Sequence, residues 1–413
     1  MKCFRRFTFY SKDVTIDDKD AEPRVARGWA MTQAAVIAVA FALLLAGTNA
    51  VNPLLPVYRE VLGLDALVLS LTFVLYVTTL VLCLLVLANP RLTRHAAGLL
   101  PAALIVALAA DVLLALSTEW SVLVGRMVAG VAGGLATGAA AALVVAAIGA
   151  SGRALSATGN LVGAVVGTAA SQLVIELRGP AAMQDVFIIH GIAVLAVLIA
   201  SVLVLAIRRR PNRIALRNVA GPPERLMLRR GDLRYFATGC VAWISVSIAI
   251  VFSATVFTEL DVPLVRVVGP TLMLGTSAAA QLMSPTLARL SPALSGSALL
   301  SLGGGAIAAG ALIPFAPLSL VGYAVLGVGV GIAYRAALVA LSRGASPARQ
   351  GALSSAYGAV TYAAAAIAVL VVGAAASVFG VIPVAVGAFI IAAAAAAMML
   401  PFAPRLRETV TDQ

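Results

Sequence analysis

Charge is scarce in this sequence. Across 413 residues only 11% are Asp, Glu, Lys or Arg, against 62% hydrophobic, and the mean hydropathy is +1.03. A water-soluble domain of this size could not keep so much apolar surface from water, whereas lipid is a suitable solvent for it. Histidine and cysteine are equally scarce. His95 and His190 stand alone, and Cys3, Cys83 and Cys240 are isolated from one another. That scatter excludes a metal-ligand spacing and a disulfide framework, so neither metal nor cofactor is expected. There is no phosphate-binding glycine loop with its lysine, no nucleophile triad and no pair of catalytic carboxylates, so neither an enzyme nor direct drive by ATP is expected. Lysine occurs three times, and arginine carries most of the formal charge of +12. Nine arginines fall in 208–234 and seven basic residues in the N-terminal tail. No aromatic-interleaved basic groove accompanies them, which excludes a nucleic-acid surface and points to anionic lipid headgroups at 208–234.

What is present is a series of long apolar runs. Each is roughly 18–25 residues, enough to cross a hydrocarbon core of about 30 Å as a helix, and none shows the alternation of a membrane barrel. Spans are predicted near 29–51, 66–88, 97–117, 121–148, 154–175, 186–207, 235–257, 265–287, 294–316, 319–342, 350–379 and 382–401. This is an all-α polytopic membrane protein with twelve helices and both termini on one side. Alternate loops agree with that count. One set carries Arg91, Arg94, Arg153, Arg289, Arg343, Arg349 and the arginines of 208–234. The other carries Glu60, Asp65, Glu119, Glu176, Asp185, Glu259 and Asp261 beside Arg59, Arg178 and Arg266. The positive-inside rule assigns the basic set, with both tails, to the cytoplasm. Residues 1–28 lack a signal-peptide core and read as a cytoplasmic tail. The expected units are then a six-helix bundle at 29–207, a basic cytoplasmic linker at 208–234, a second bundle at 235–402 and a cytoplasmic tail at 403–413.

The two bundles repeat one another. Residues 121–156 return at 319–354, so that Gly125, Gly130 and Gly134 fall on Gly322, Gly327 and Gly331. L-A-N-P-R-L-T-R at 87–94 returns as L-M-S-P-T-L-A-R at 282–289. An even number of helices per copy makes the repeat parallel. Gly130, Gly134 and Gly138, like Gly327 and Gly331, lie on one stripe of a helix and allow a neighbouring backbone or a ligand to come close. The copies differ at two positions: Arg126 heads the first stripe where the second has Tyr323, and Arg335 ends the second where the first has Gly138.

Twelve spans, parallel halves and a long basic linker resemble the major facilitator superfamily. Arg126-x-x-x-Gly130 is similar to that family's fourth-helix pattern in proton-coupled exporters. Gly159-x-x-x-Gly163-Ala164-x-x-Gly167-Thr168 resembles its antiporter motif, with alanine and threonine replacing a proline and a glycine. Asn52-Pro53-Leu54-Leu55-Pro56 resembles a segment of drug-export members. The acid common on their first helix is missing, and Asn49 and Asn52 are the nearest polar groups. The loop Pro90–His95 departs from the family's pattern: it keeps basic residues but no aspartate. Arg94 and its repeat partner Arg289 are what remains for gating and helix packing, with the glycines above. The resemblance implies alternating access around one central cavity, lined by helices 4, 5, 7, 8 and 11, in a monomer of a bacterial plasma membrane.

An ionisable group at bilayer depth costs several kcal/mol unless paired or hydrated. Asp111 is the acid well inside a span. It and Arg126 flank the turn Ser117–Trp120 at matched depth, roughly 10 Å below the surface at 1.5 Å per residue. A fixed ion pair and a proton-coupling pair are both compatible with that placement. Arg335 either snorkels to the interface or lines the inner end of the cavity. Asn160, Gln172, Trp243, Gln281, Tyr357 and Tyr362 complete the candidate cavity lining. A wall rich in Ala, Val and Gly suits a small, partly apolar compound rather than a sugar. The exporter-like motifs favour efflux against inward proton flow. Uptake by symport or uniport, and a non-transporting sensor or scaffold, are the alternatives on the same fold.

Overall fold

The computed structural model describes residues 21–87, 94–149, 152–219, 230–343 and 347–406, with 21–26, 152–161, 217–219, 230 and 347–352 as backbone only. Among these residues are twelve long helices: α1 Ala21–Ala50, α2 Ala66–Leu87, α3 Ala96–Ala115, α4 Glu119–Ile148, α5 Gly152–Arg178, α6 Met183–Ile207, α7 Leu233–Glu259, α8 Pro263–Leu282, α9 Gly296–Leu312, α10 Ala316–Leu341, α11 Pro347–Phe379 and α12 Val381–Met398. Among the described residues nine spans are long and apolar enough to cross a membrane, and α9 is a shorter apolar helix. The rule that backbone polar groups must be satisfied within the bilayer explains why the chain is helical throughout.

Local chemistry sets the ends. Pro53 cannot continue the hydrogen-bond ladder, so α1 gives way to a 3-10 turn at Asn52–Leu54 and a short helix Leu55–Leu62. That helix stops at Gly63, whose φ of 70° a β-carbon would disfavour. At the start of α4, Thr118 and Ser121 form a reciprocal capping box. Boundaries differ from expectation, among them the start of α1, which is helical from Ala21 and so takes in the end of the predicted tail 1–28. The predicted eighth span is broken at Met283, because Pro285 begins a separate short helix, Ser284–Leu290. The segment 208–234 is not an extended linker throughout: Arg209–Val219 is helical and packs against α4. Asn212 and Leu216, one turn apart, are buried there, while Arg209, Arg210 and Arg213 stay exposed, an amphipathic pattern suited to a membrane surface.

The packing repeats as the sequence does. Helix α1 packs on α4, α5 and α6, α3 on α4 and α6, and α2 on α4; α7 likewise packs on α10, α11 and α12, α9 on α10 and α12, and α8 on α10. Between the halves, α2 meets α11 and α5 meets α8, which is one contact seen twice under the repeat. The repeat extends to single atoms. A methyl at Gly130 would overlap Thr79 Oγ1 and the Tyr76 carbonyl, and one at Gly327 would overlap Thr276 Oγ1 and the Met273 carbonyl. Thr79 donates to the carbonyls of Leu75 and Tyr76 at 2.9 and 3.1 Å, and Thr276 to those of Leu272 and Met273 at the same distances. Gly134 against Cys83 and Gly331 against Ala280 continue the match. On the other side of the first half, Gly163 and Gly167 meet the carbonyls of Ala42 and Ala46 on α1. Lipid tails are as apolar as the helices, so this close backbone approach, rather than expulsion of water, is what binds them. Gly138, by contrast, has open space around it and takes no part in the packing expected of the stripe.

Gly130→Ala and Gly327→Ala are expected to destabilise the detergent-solubilised protein by about 1–3 kcal/mol through overpacking. Gly138→Ala should be neutral or stabilising by up to about 1 kcal/mol, since it only restricts the unfolded chain. Thermal unfolding of the three variants beside the parent checks this.

Candidate functional site

Between the halves lies a cavity of about 1110 Å³ of unfilled space, part of it open to solvent. It takes Leu45, Thr48, Asn49 and Asn52 from α1 and the turn after it, Phe73, Tyr76, Val77, Leu80 and Leu84 from α2, Arg126 and Thr137 from α4, and Ala164 from α5. The second half contributes Trp243, Val246, Ser247 and Ile250 from α7, Leu274, Ser277 and Gln281 from α8, Val330 from α10 and Tyr362 from α11. Arg126 is the one charged residue among those lining it.

Arg126 is 3% exposed, and among the described residues its guanidinium makes only neutral contacts. Its Nε donates to the Thr72 carbonyl at 3.0 Å, its NH1 to the Thr48 carbonyl at 2.6 Å, and its Cζ lies 4.5 Å from the centre of the Tyr76 ring. Thr48 sits in the last turn of α1, where carbonyls have no intrahelical partner and the helix dipole is negative. Arg126 therefore takes a carbonyl that the end of α1 at Ala50 leaves without a partner inside that helix. Beside it an amide ladder faces the cavity: Asn52 Nδ2 donates to Asn49 Oδ1 at 3.3 Å, and Asn49 Nδ2 to the Leu45 carbonyl at 2.8 Å. The opposite wall is aromatic. Trp243 meets Tyr362 edge-on at 4.8 Å and Tyr334 at 5.2 Å.

Asp111 does not pair with Arg126. The structure places its carboxylate on His190 Nδ1, 2.9 Å from either oxygen, while His190 Nε2 donates to the Leu43 carbonyl at 2.9 Å. Both side chains are nearly buried. A carbonyl can only accept, so Nε2 carries a proton, and a second proton lies between Nδ1 and the carboxylate. This net-neutral pair joins α1, α3 and α6, and the ring sits directly over Gly47, where any side chain would collide with it. A small void beside the pair is bordered by Gly47, Thr48, Ala129 and Ala132. Thr48 thus borders both this void and the central cavity.

The sequence matches the family model described as the Major Facilitator Superfamily over residues 37–369. The chain belongs to the Major Facilitator Superfamily. No curated protein matches its sequence. Solved structures share the fold of this superfamily member. A bacterial homologue of the human lysosomal transporter Spinster, inward-facing and unoccupied, is similar at TM-score 0.67 and 12% identity, over 91% of this chain and 94% of that one. The nucleoside transporter NupG is similar at TM-score 0.65 and 12% identity, over 91% and 98%. The protein is therefore a multi-pass membrane transporter of this superfamily, whose members take small-molecule substrates and are generally not enzymes.

Of the residues that the sequence proposed for the cavity of this superfamily member, Asn49, Asn52, Arg126, Trp243, Gln281 and Tyr362 line it. Gln172 is turned elsewhere, donating to Glu176 Oε1 at 2.8 Å one turn along its own helix. Tyr357 is fully buried behind the wall, its ring tilted against those of Tyr334 and Phe236 and its hydroxyl donating to the Tyr334 carbonyl at 3.2 Å. Arg335 neither snorkels freely nor lines the cavity: its NH1 donates to the Gln281 carbonyl at 2.5 Å, capping the C-terminal turn of α8. Arg94 and Arg289 are exposed at the basic end. Asn160 and Gly159 lie outside the residues whose side chains are described, and residues 90–93 of the degenerate loop lie outside the described residues. Sequence reasoning missed His190, Thr48, Tyr76 and Tyr334. The depth rule that put Asp111 beside Arg126 also reaches His190, which stands seven residues into α6 where Asp111 stands four from the end of α3, a difference of about 5 Å at 1.5 Å per residue.

A double-mutant cycle separates the two candidate partners of Asp111. Alanine at Asp111 and His190 should show a coupling of about 0.5–3 kcal/mol, because one change already removes what the other would lose. The cycle of Asp111→Asn with Arg126→Gln should be additive to within about 0.5 kcal/mol. Unfolding in detergent measures both.

Proposed function

We propose that this chain is a proton-coupled exporter of a small, partly apolar compound, working as a monomer in a bacterial plasma membrane with both termini cytoplasmic. The halves 29–207 and 235–402 rock about the shared cavity, with 208–234 lying on anionic lipid between them. The observation that carries this reading is the cavity itself, walled by helices from both halves and bordered through Thr48 by a titratable buried pair. Proton coupling falls to Asp111 and His190 together: loss or gain of the shared proton changes a charge at the junction of α1, α3 and α6, the helices that must shift when the halves move. Arg126 faces the substrate rather than the proton.

The present state supports an opening to the cytoplasm. Among the described residues, the ion pairs that cross between halves stand at the end bearing the acidic loops: Arg59 with Glu259 at 2.7 Å and Arg266 with Glu176 at 3.3 Å. The apolar cluster containing Leu55, Tyr58 and Leu69 with Val246, Phe252 and Val369 spans both halves. The clusters containing Leu100 and Leu143, and Leu341 and Leu353, each keep to one half. The similar Spinster homologue is inward-facing as well.

Everted membrane vesicles carrying the protein, given a panel of dyes and small compounds, test the reading. Accumulation is expected when the vesicle lumen is acidified and should collapse when the gradient is dissipated. Asp111→Asn should lose the gradient-driven part while retaining exchange of labelled for unlabelled compound. Gradient-insensitive uptake, unchanged by Asp111→Asn, sinks proton coupling; accumulation in intact cells instead of depletion turns the direction to uptake.

A further inference from the structure

The electrostatics of the cavity are unbalanced. Of the acids in the sequence, Asp111 alone lies deep within a span; the others fall in loops, near helix ends or in tails. Asp111 is committed to His190. Among the described residues no carboxylate pairs with Arg126, so its charge is met by two carbonyls and a ring face. The end of a helix supplies an equivalent of about half a negative charge. A net positive charge therefore remains at the wall of an otherwise uncharged cavity. A buried charge in this position persists where something else completes its pairing for part of the working cycle.

We infer that the substrate completes it: the cavity of this transporter selects an amphipathic organic anion, with a carboxylate or similar group at Arg126 and an apolar, planar body against Trp243 and Tyr362. Phe73, Val246 and Ile250 provide the rest of the apolar surface. Trp243 also carries a buried Nε1–H that finds no acceptor among the described residues. The amides of Asn49 and Asn52 accept and donate without charge, so they bind polar atoms of the ligand but cannot offset a cation. A cationic compound meets repulsion from the guanidinium with no acid to relieve it. This excludes the lipophilic cations that a carboxylate-lined cavity would take. The inference rests on the reading of the cavity as the substrate site, and it fixes the charge class which that reading leaves open.

The test uses the full chain purified in detergent and three probes of one shape: 2-naphthoate, 2-naphthamide and 2-naphthylmethylammonium. In calorimetric titration the carboxylate should bind roughly 10- to 100-fold more tightly than the amide, the span of one charge-assisted hydrogen-bonded contact, with the ammonium weakest. Arg126→Gln should erase the difference between carboxylate and amide while leaving amide binding in place. Arg126→Lys should keep part of the preference. The comparison among probes in the parent needs no variant, so it stands even where Arg126→Gln folds poorly. Equal binding of the three, preference for the ammonium, or binding of none overturns the inference. Vesicles that move neutral or cationic dyes without preferring anions would leave the transporter reading standing and remove this one. Carboxylate preference without any transport would do the reverse.

Discussion

The site depends on how a guanidinium can be held inside a membrane with no acid beside it. Arg126 manages this by reaching two carbonyls, one at the end of α1 and one in the middle of α2, and by lying against the face of Tyr76. Those contacts exist only because α4 comes very close to α2, and that approach exists only because Gly130 and Gly134 present no side chain there. Pro53 matters nearby, since it lacks the N–H that the Asn49 carbonyl would take in a continued helix, and α1 ends just after Thr48. Glycine, proline and arginine thus form one arrangement, in which backbone geometry provides the counter-dipole and leaves charge over for a ligand.

The duplication keeps the scaffold and changes the chemistry. Gly130 with Thr79 and Gly327 with Thr276 are the same contact in two copies, down to the bonds each threonine makes within its own helix, and Thr79 also reaches the Met127 carbonyl at 2.9 Å. Where the first copy has Arg126 on Thr72, the second has Tyr323 packed on Gly269. The first half accordingly carries the one charge, Arg126, with Asn49 and Asn52, and the second sets Trp243 and Tyr362 across from them beside Gln281. The polar ties between the halves are modest. Arg59–Glu259 and Arg266–Glu176 are partly exposed pairs, a kind worth about 0–1 kcal/mol. Contacts of that strength close one end of a cavity without locking it, which suits a structure whose two ends must open in turn.

The sequence by itself determined the twelve spans, the parallel repeat and the close-packed glycines, because a bilayer imposes length, hydropathy and small contact surfaces that are written locally. It also placed Asp111 and Arg126 within apolar spans, and Asn49, Asn52, Trp243, Gln281 and Tyr362, which it proposed for the cavity, border the cavity found between the halves. What it could not determine was the direction in which each side chain points around its helix. Counting residues from a turn gives depth, and depth alone made Arg126 the apparent partner of Asp111. Only the tertiary structure decided for His190, whose two acceptors are 79 and 147 residues away. It likewise turned Gln172 to Glu176, put Tyr357 behind the wall and set Arg335 on the end of α8. Rotation about a helix axis is settled by which helices surround it, and that is a property of the assembled bundle rather than of any one segment.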